Sequence, residues 1–91
     1  MLSGTFEVQL SGRGQTHYNS LDANMTRRIN EALEQLIQNP FFGPNIAKLK
    51  GSYTGQYRYR VGSYRIIYEV DTQNQQCVVL SISARGKSYT P

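Results

Sequence analysis

The segment Tyr57-Arg58-Tyr59-Arg60-Val61-Gly62-Ser63-Tyr64-Arg65-Ile66-Ile67-Tyr68 gathers three guanidinium groups at a spacing suited to holding an anion. It alternates residue by residue on both sides of Gly62-Ser63, the pattern of two strands joined by a two-residue turn. Glycine in the first loop position suits a type II′ turn. That turn sets Val61 against Tyr64, Arg60 against Arg65, Tyr59 against Ile66 and Tyr57 against Tyr68. Side chains alternate across a sheet, so Arg58, Arg60 and Arg65 share one face. Like charges directly opposite each other destabilise a strand pair, so a sequence that sets Arg60 against Arg65 is built to accommodate a negative group. The planar guanidinium fork grips phosphate oxygens in pairs, which makes a phosphate backbone the natural ligand.

Other reactive residue types are sparse. The single cysteine, Cys77, excludes an internal disulfide and a cysteine-based metal cluster. It lies in the apolar run Cys77-Val78-Val79-Leu80 and reads as a buried or half-buried small residue. A catalytic thiol needs a positioned base, and the only histidine, His17, is distant in sequence within a polar segment. His17 reads as a surface or helix-packing residue. No metal and no cofactor is called for.

Ninety-one residues make one small domain, residues 1–91, with room for a single core. Hydrophobic content of 38% against 18% charged residues favours folding over disorder. No apolar run approaches the roughly 18 residues that span a bilayer, and the first four residues have neither a basic nor an apolar leader pattern. The expectation is a cytoplasmic protein with no membrane partner. Net charge is only +4, yet seven of the ten basic residues and two of the six acidic ones fall between Lys48 and Lys87. None of the acidic residues lies between Lys48 and Arg65. Such asymmetry fits an anionic partner, nucleic acid or an acidic protein segment, about as well as a solvated basic face, and the opposed arginines decide for the partner.

The elements that must position the arginines follow from periodicity. Residues 5–10 alternate, with Phe6, Val8 and Leu10 on one side, and predict a half-buried strand. Residues 11–20 are polar, contain Gly12 and Gly14, and fit a short helix or a loop. Asp22 is a plausible N-cap. Met25, Ile29, Ala32, Leu33, Leu36 and Ile37 then recur at helical spacing until Asn39-Pro40. Phe41 and Phe42 are expected to anchor the connector that follows. Strands are predicted at 56–61, 64–70 and 76–83, with a polar turn at 71–75. The expected architecture is α+β, in the order β-α-α-β-β-β, with a mainly antiparallel four-stranded sheet and helices packed on one face. That face should carry Phe6, Val8, Leu10, Tyr57, Tyr59, Val61, Ile66, Tyr68, Val70, Val78, Leu80 and Ile82. Ser81, Ser83 and Arg85 should fall with the arginines.

Lys48-Leu49-Lys50-Gly51, the hairpin, and the closing Ile82-Ser83-Ala84-Arg85-Gly86-Lys87-Ser88-Tyr89 together resemble the RelE/ParE superfamily of toxin–antitoxin toxins, the hairpin in its more RelE-like form. The match covers about half of the chain. The resemblance implies a toxin that enters the ribosome and cleaves mRNA in the A site, held in check by a RelB-like antitoxin within a hetero-oligomeric complex. ParE-like members share the fold and poison DNA gyrase instead. It also implies catalytic roles for Arg58, Arg60, Arg65, Arg85 and Tyr89, the last by stacking on a base, and RNA contacts from Lys48, Lys50 and Lys87. Two departures bear on the chemistry. Some relatives carry lysine at the positions of Arg58 and Arg60, and others carry histidine where Ala84 stands. Arginine keeps its proton at ordinary pH, so no residue here is an obvious general base. Tyr89 or a lysine assists, or the site works by positioning and arginine electrostatics, or the protein binds RNA or antitoxin without cleaving.

Overall fold

The computed structural model describes residues 5–53 and 55–84. In order, it contains strand β1 (Glu7–Leu10), helix α1 (Gly12–Asn19), helix α2 (Ala23–Gln38), strand β2 (Ile46–Lys48), a single 3₁₀ turn (Gly51–Tyr53), and strands β3 (Gln56–Val61), β4 (Tyr64–Asp71) and β5 (Gln76–Ala84). The strands form one sheet in the order β1-β5-β4-β3-β2, parallel only between β1 and β5. The α+β architecture is as expected, with β2 added as a fifth strand. At three residues β2 is too short to show a period of two, and it forms by pairing with the outer edge of β3. No helix among the described residues is long and apolar enough to cross a membrane.

Helix α2 starts where the sequence indicates. The Asp22 carboxylate accepts from the Met25 N–H at 2.7 Å, satisfying one of the orphan donors of the first turn. Its stripe of Ile29, Ala32 and Leu36 packs against Val61, Ile66, Tyr68, Cys77, Val79 and Ile82. Tyr68 is fully buried, and its hydroxyl donates to the Pro40 carbonyl at 2.7 Å, so the core keeps a satisfied polar group. Tyr57 stacks on Tyr68, and Phe41 meets Tyr57 and Phe6 edge-on. Phe41 therefore anchors the connector, as expected. Phe42 does not: it is 79% exposed. The Asn39 side-chain oxygen accepts from both the Phe41 and Phe42 N–H groups, and this Asx turn sends the two rings in different directions.

The undecided segment 11–20 is helix α1. Ser11 caps it by accepting from Gly14 N at 3.0 Å. Strand β1 pairs only with the first four residues of β5, and α1 takes over along the remaining edge. The Ser11 hydroxyl donates to the Leu80 carbonyl, and the Ile82 N–H donates to His17 Nδ1 at 3.0 Å. Gly14 allows this close approach, since a Cβ there would lie 2.5 Å from the Val79 carbonyl oxygen. His17 is thus a helix-packing residue with a defined acceptor role.

One expectation about facing is overturned. Tyr68 pairs with Val79 while its neighbour Ile67 pairs with Ser81, leaving Leu80 as an extra residue in β5. The bulge reverses the strand's parity. Cys77 and Val79, not Val78 and Leu80, enter the core, while Ile82 enters as expected. Burial pushes the Cys77 thiol up to about 12, so the thiol stays protonated and inert.

Candidate functional site

The hairpin register is as the turn chemistry dictates. Val61 faces Tyr64, Arg60 faces Arg65, Tyr59 faces Ile66 and Tyr57 faces Tyr68. Gly62 adopts a φ of 58°, and among the described non-glycine residues only Gln75 has a positive φ. Positive φ at the first loop residue alone is the signature of a type II′ turn.

Arg58, Arg60 and Arg65 consequently project from the face away from the helices. The ladder gives that face two cross-strand rows. One runs Ala47, Arg58, Ile67, Ser81, and the other Arg60, Arg65, Ser83. Ile67 is only 4% exposed and Ser81 is buried, so the face has a dry floor beneath its charged rim. Two polar atoms in it are buried without a hydrogen-bond partner, Arg58 Nε and Ser83 Oγ. Buried donors are nearly always bonded in folded proteins, so both are groups awaiting a partner. A small cavity of about 130 Å³ opens at Arg58, lined by Pro44, Asn45, Ile46, Arg58 and Arg60. Convergent guanidinium groups on a low-dielectric floor would stabilise anionic oxygens more strongly than the same groups in water.

The lysines behave differently. Lys48 pairs with Tyr57 and so has the helix-side parity, leaving Ala47 beside Arg58. Lys50 is exposed beyond the end of β2. Neither joins the arginine rows. Arg85, Lys87 and Tyr89 lie outside the described residues. The bulge keeps Ser81 and Ser83 on the arginine face, where sequence alternation had set them. Arg28 is an addition to the sequence-derived set. It reaches the hairpin turn from α2, where a Cβ on Gly62 would lie 2.9 Å from its guanidinium. It also shares a cavity of about 420 Å³ with Glu31, Gln35, Asn45 and Arg60. Its only sequence signal was its place in the basic pair Arg27-Arg28.

Among the described residues, the arginine face offers guanidinium and hydroxyl groups and no carboxylate or imidazole at its centre. His17 Nδ1 is committed to the Ile82 N–H at the sheet edge. Such a face can bind and orient a phosphate and neutralise charge developing on it.

Comparison with known proteins agrees with this architecture. The sequence matches the family described as ParE toxin of type II toxin–antitoxin systems over residues 8–89. A chain of the archaeal RelE–RelB complex from Pyrococcus horikoshii is 30% identical, with a TM-score of 0.75 over 91% of this chain and 98% of that one. The YoeB–YefM toxin–antitoxin complex from Staphylococcus aureus gives 26% identity and a TM-score of 0.73 over 88% and 97%. The isolated E. coli RelE toxin, at 19% identity and a TM-score of 0.77 over 92% and 88%, shares the fold. No curated protein sequence matches the chain. The family match runs from within β1 to beyond the end of β5 and so takes in the strands that carry the arginines: the chain belongs to the RelE/ParE superfamily of type II toxin–antitoxin toxins.

Proposed function

We propose that this toxin cleaves mRNA on the ribosome in the cytoplasm, using the arginine face as its phosphate site, and that a RelB-like antitoxin silences it by covering that face. The observation that carries the reading is the cross-strand set Arg58, Arg60 and Arg65, with Arg58 Nε buried and unpartnered. In the reaction, the ribose 2′-oxygen bonds to the adjacent phosphorus as its proton leaves to a base. The P–O5′ bond breaks and the departing 5′-oxygen takes up a proton. The products are a 2′,3′-cyclic phosphate and a free 5′-hydroxyl. Arg58 and Arg65 would hold the non-bridging oxygens, where negative charge grows. Arg60 would hold the neighbouring phosphate and fix the strand in line. Arg85 and Tyr89 are proposed to complete the site, Arg85 at the leaving oxygen and Tyr89 by stacking on a base. Lys48, Lys50 and Lys87 would contact RNA phosphates further out. With no side-chain base at the centre of the described face, positioning and charge stabilisation carry most of the rate. The proton leaves to Tyr89, to a lysine or to water.

A second reading, poisoning of DNA gyrase, is favoured by the ParE description of the matched family and by that missing base. A purified translation system with and without ribosomes separates the two. The expected result is cleavage only on ribosomes, reduced about 100-fold or more in Arg65→Ala. Absence of cleavage by folded protein, together with inhibition of gyrase supercoiling, would establish the second reading instead.

A further inference from the structure

Phe42 lines a third cavity, of about 310 Å³, whose lining differs in kind from the arginine face. It is lined by the aromatic residues Phe42 and Tyr59 and by the amide residues Gln35, Gln38 and Asn45, with Asn39, whose oxygen is already engaged by Phe41 and Phe42, at its margin. It contains no charged residue. Pro44, Asn45 and Ile46 line both this cavity and the smaller one that holds Arg58 and Arg60, so the two are neighbours across one short strap of chain. We infer that this cavity is a nucleobase subsite, receiving an unstacked base of the RNA strand whose phosphates the arginines hold. The inference rests on RNA being the ligand of the arginine face.

A single exposed apolar residue is ordinary on a protein surface, and Phe42 alone would mean nothing. Its setting is what carries the argument. The Asn39 side-chain oxygen accepts from the Phe42 N–H and holds the backbone there, so the exposed ring is carried by a fixed turn at the mouth of the cavity. Amide side chains offer neutral donors and acceptors together, the complement of a base edge, whereas a phosphate or carboxylate subsite would need cations. Aromatic rings stack on any base. Phosphate and base alternate along a single strand; Tyr59 and the arginines face opposite sides of β3, and the strap at 44–46 joins their cavities at the sheet edge, so a strand crossing that edge would set phosphate on one side and base on the other. No acidic residue lines either cleft; Glu31, in the adjoining cavity, shares that cavity with the Arg28 guanidinium.

The test uses the whole protein and short, non-cleavable 2′-O-methyl oligoribonucleotides labelled for fluorescence anisotropy. An abasic unit is placed in turn at each position. Wild type should lose about 5- to 10-fold in affinity at one abasic position. Phe42→Ala should lose a similar factor on intact RNA and nothing on that abasic RNA, while Phe42→Leu should behave as Phe42→Ala. Arg60→Ala should instead weaken both RNAs alike and lower the salt slope by about one. Equal binding of intact and abasic strands, or no RNA binding, overturns the inference. Loss of antitoxin binding in Phe42→Ala with RNA binding unchanged overturns it too, in favour of a protein contact. Base-dependent binding without ribosomal cleavage would sink the nuclease reading and leave the subsite standing.

Discussion

Along β3 and β4, neighbouring residues serve two different surfaces. Tyr57, Tyr59, Val61, Ile66 and Tyr68 turn toward α2 and exclude water, while Arg58, Arg60, Arg65 and Ile67 turn the other way. On the first face nearly every partner is visible. Rings stack, the Tyr68 hydroxyl reaches Pro40, and burial holds both that hydroxyl and the Cys77 thiol in their protonated forms. On the second face, Arg60 opposes Arg65, and Arg58 Nε and Ser83 Oγ have no hydrogen-bond partner. The first face is complete at its centre, with only Tyr59 at its edge opening on a cavity, and the other is arranged for something that arrives. Local stabilisation is given up on the second face, as is common where a surface is shaped for binding.

The largest effect should come from the complete face. Leu36→Ala removes a fully buried side chain from the α2 stripe and should cost about 2–5 kcal/mol in denaturant unfolding. Because Leu36 touches none of the arginine rows, cleavage per folded molecule should be unchanged. A variant that unfolds readily and is also inactive while folded would mean that the two faces are not separable.

An intermediate effect is expected at the seam between them. In Gly14→Ala the new methyl meets the Val79 carbonyl oxygen at 2.5 Å, and backbone on both sides must shift. Alanine's better helix propensity offers up to about 1 kcal/mol in return, against about 1–3 kcal/mol for overpacking. The net should be destabilising. Helix α1 also holds the bulged half of β5 through Ser11 and His17. Displacing it should disturb Ser83, and a fall in activity larger than the unfolded fraction explains would show that the seam couples the faces. Full activity in the folded fraction would show that it does not.

This seam is also where the sequence was least legible. The hairpin register and α2 could be read because a two-residue glycine turn and a 3.6-residue stripe each admit one geometry. Residues 77–80 are apolar without interruption, so either parity looks inward, and an extra residue such as Leu80 leaves no mark in composition. Helix α1 was ambiguous because Gly12 and Gly14 weaken helix propensity. It forms because Ser11 caps it locally and β5 receives it through tertiary contacts to Ser11 and His17. Phe41 and Phe42 look alike in sequence, and a single side-chain oxygen on Asn39 separates them. The three arginines were legible for the opposite reason: charge at period two next to a defined turn has one reading. The amide-lined cavity was not, since Gln35, Gln38 and Asn45 look like ordinary surface residues until the strap brings them together.

The smallest effect has the most informative sign. Arg60→Gln keeps a long polar side chain and removes one of two like charges that stand opposite each other. Cross-strand pairs contribute roughly 0.2–1 kcal/mol, and a repulsive one contributes against folding. The variant should therefore be slightly more stable than wild type in low salt, by up to about 1 kcal/mol. The gain should shrink as salt screens the pair, of which Arg60 is exposed and Arg65 half-buried. Inorganic phosphate or RNA should raise the midpoint of wild type more than that of the variant, because a ligand stabilises in proportion to its affinity for the folded state. Stability and activity would then move in opposite directions at one position, which is what a face prepared for an anion requires. If Arg60→Gln instead lost stability at every salt concentration, the Arg60–Arg65 pair would be favourable in the free protein. The face would then be as complete as the core side, and the case for an awaited phosphate would rest on Arg58 and Ser83 alone.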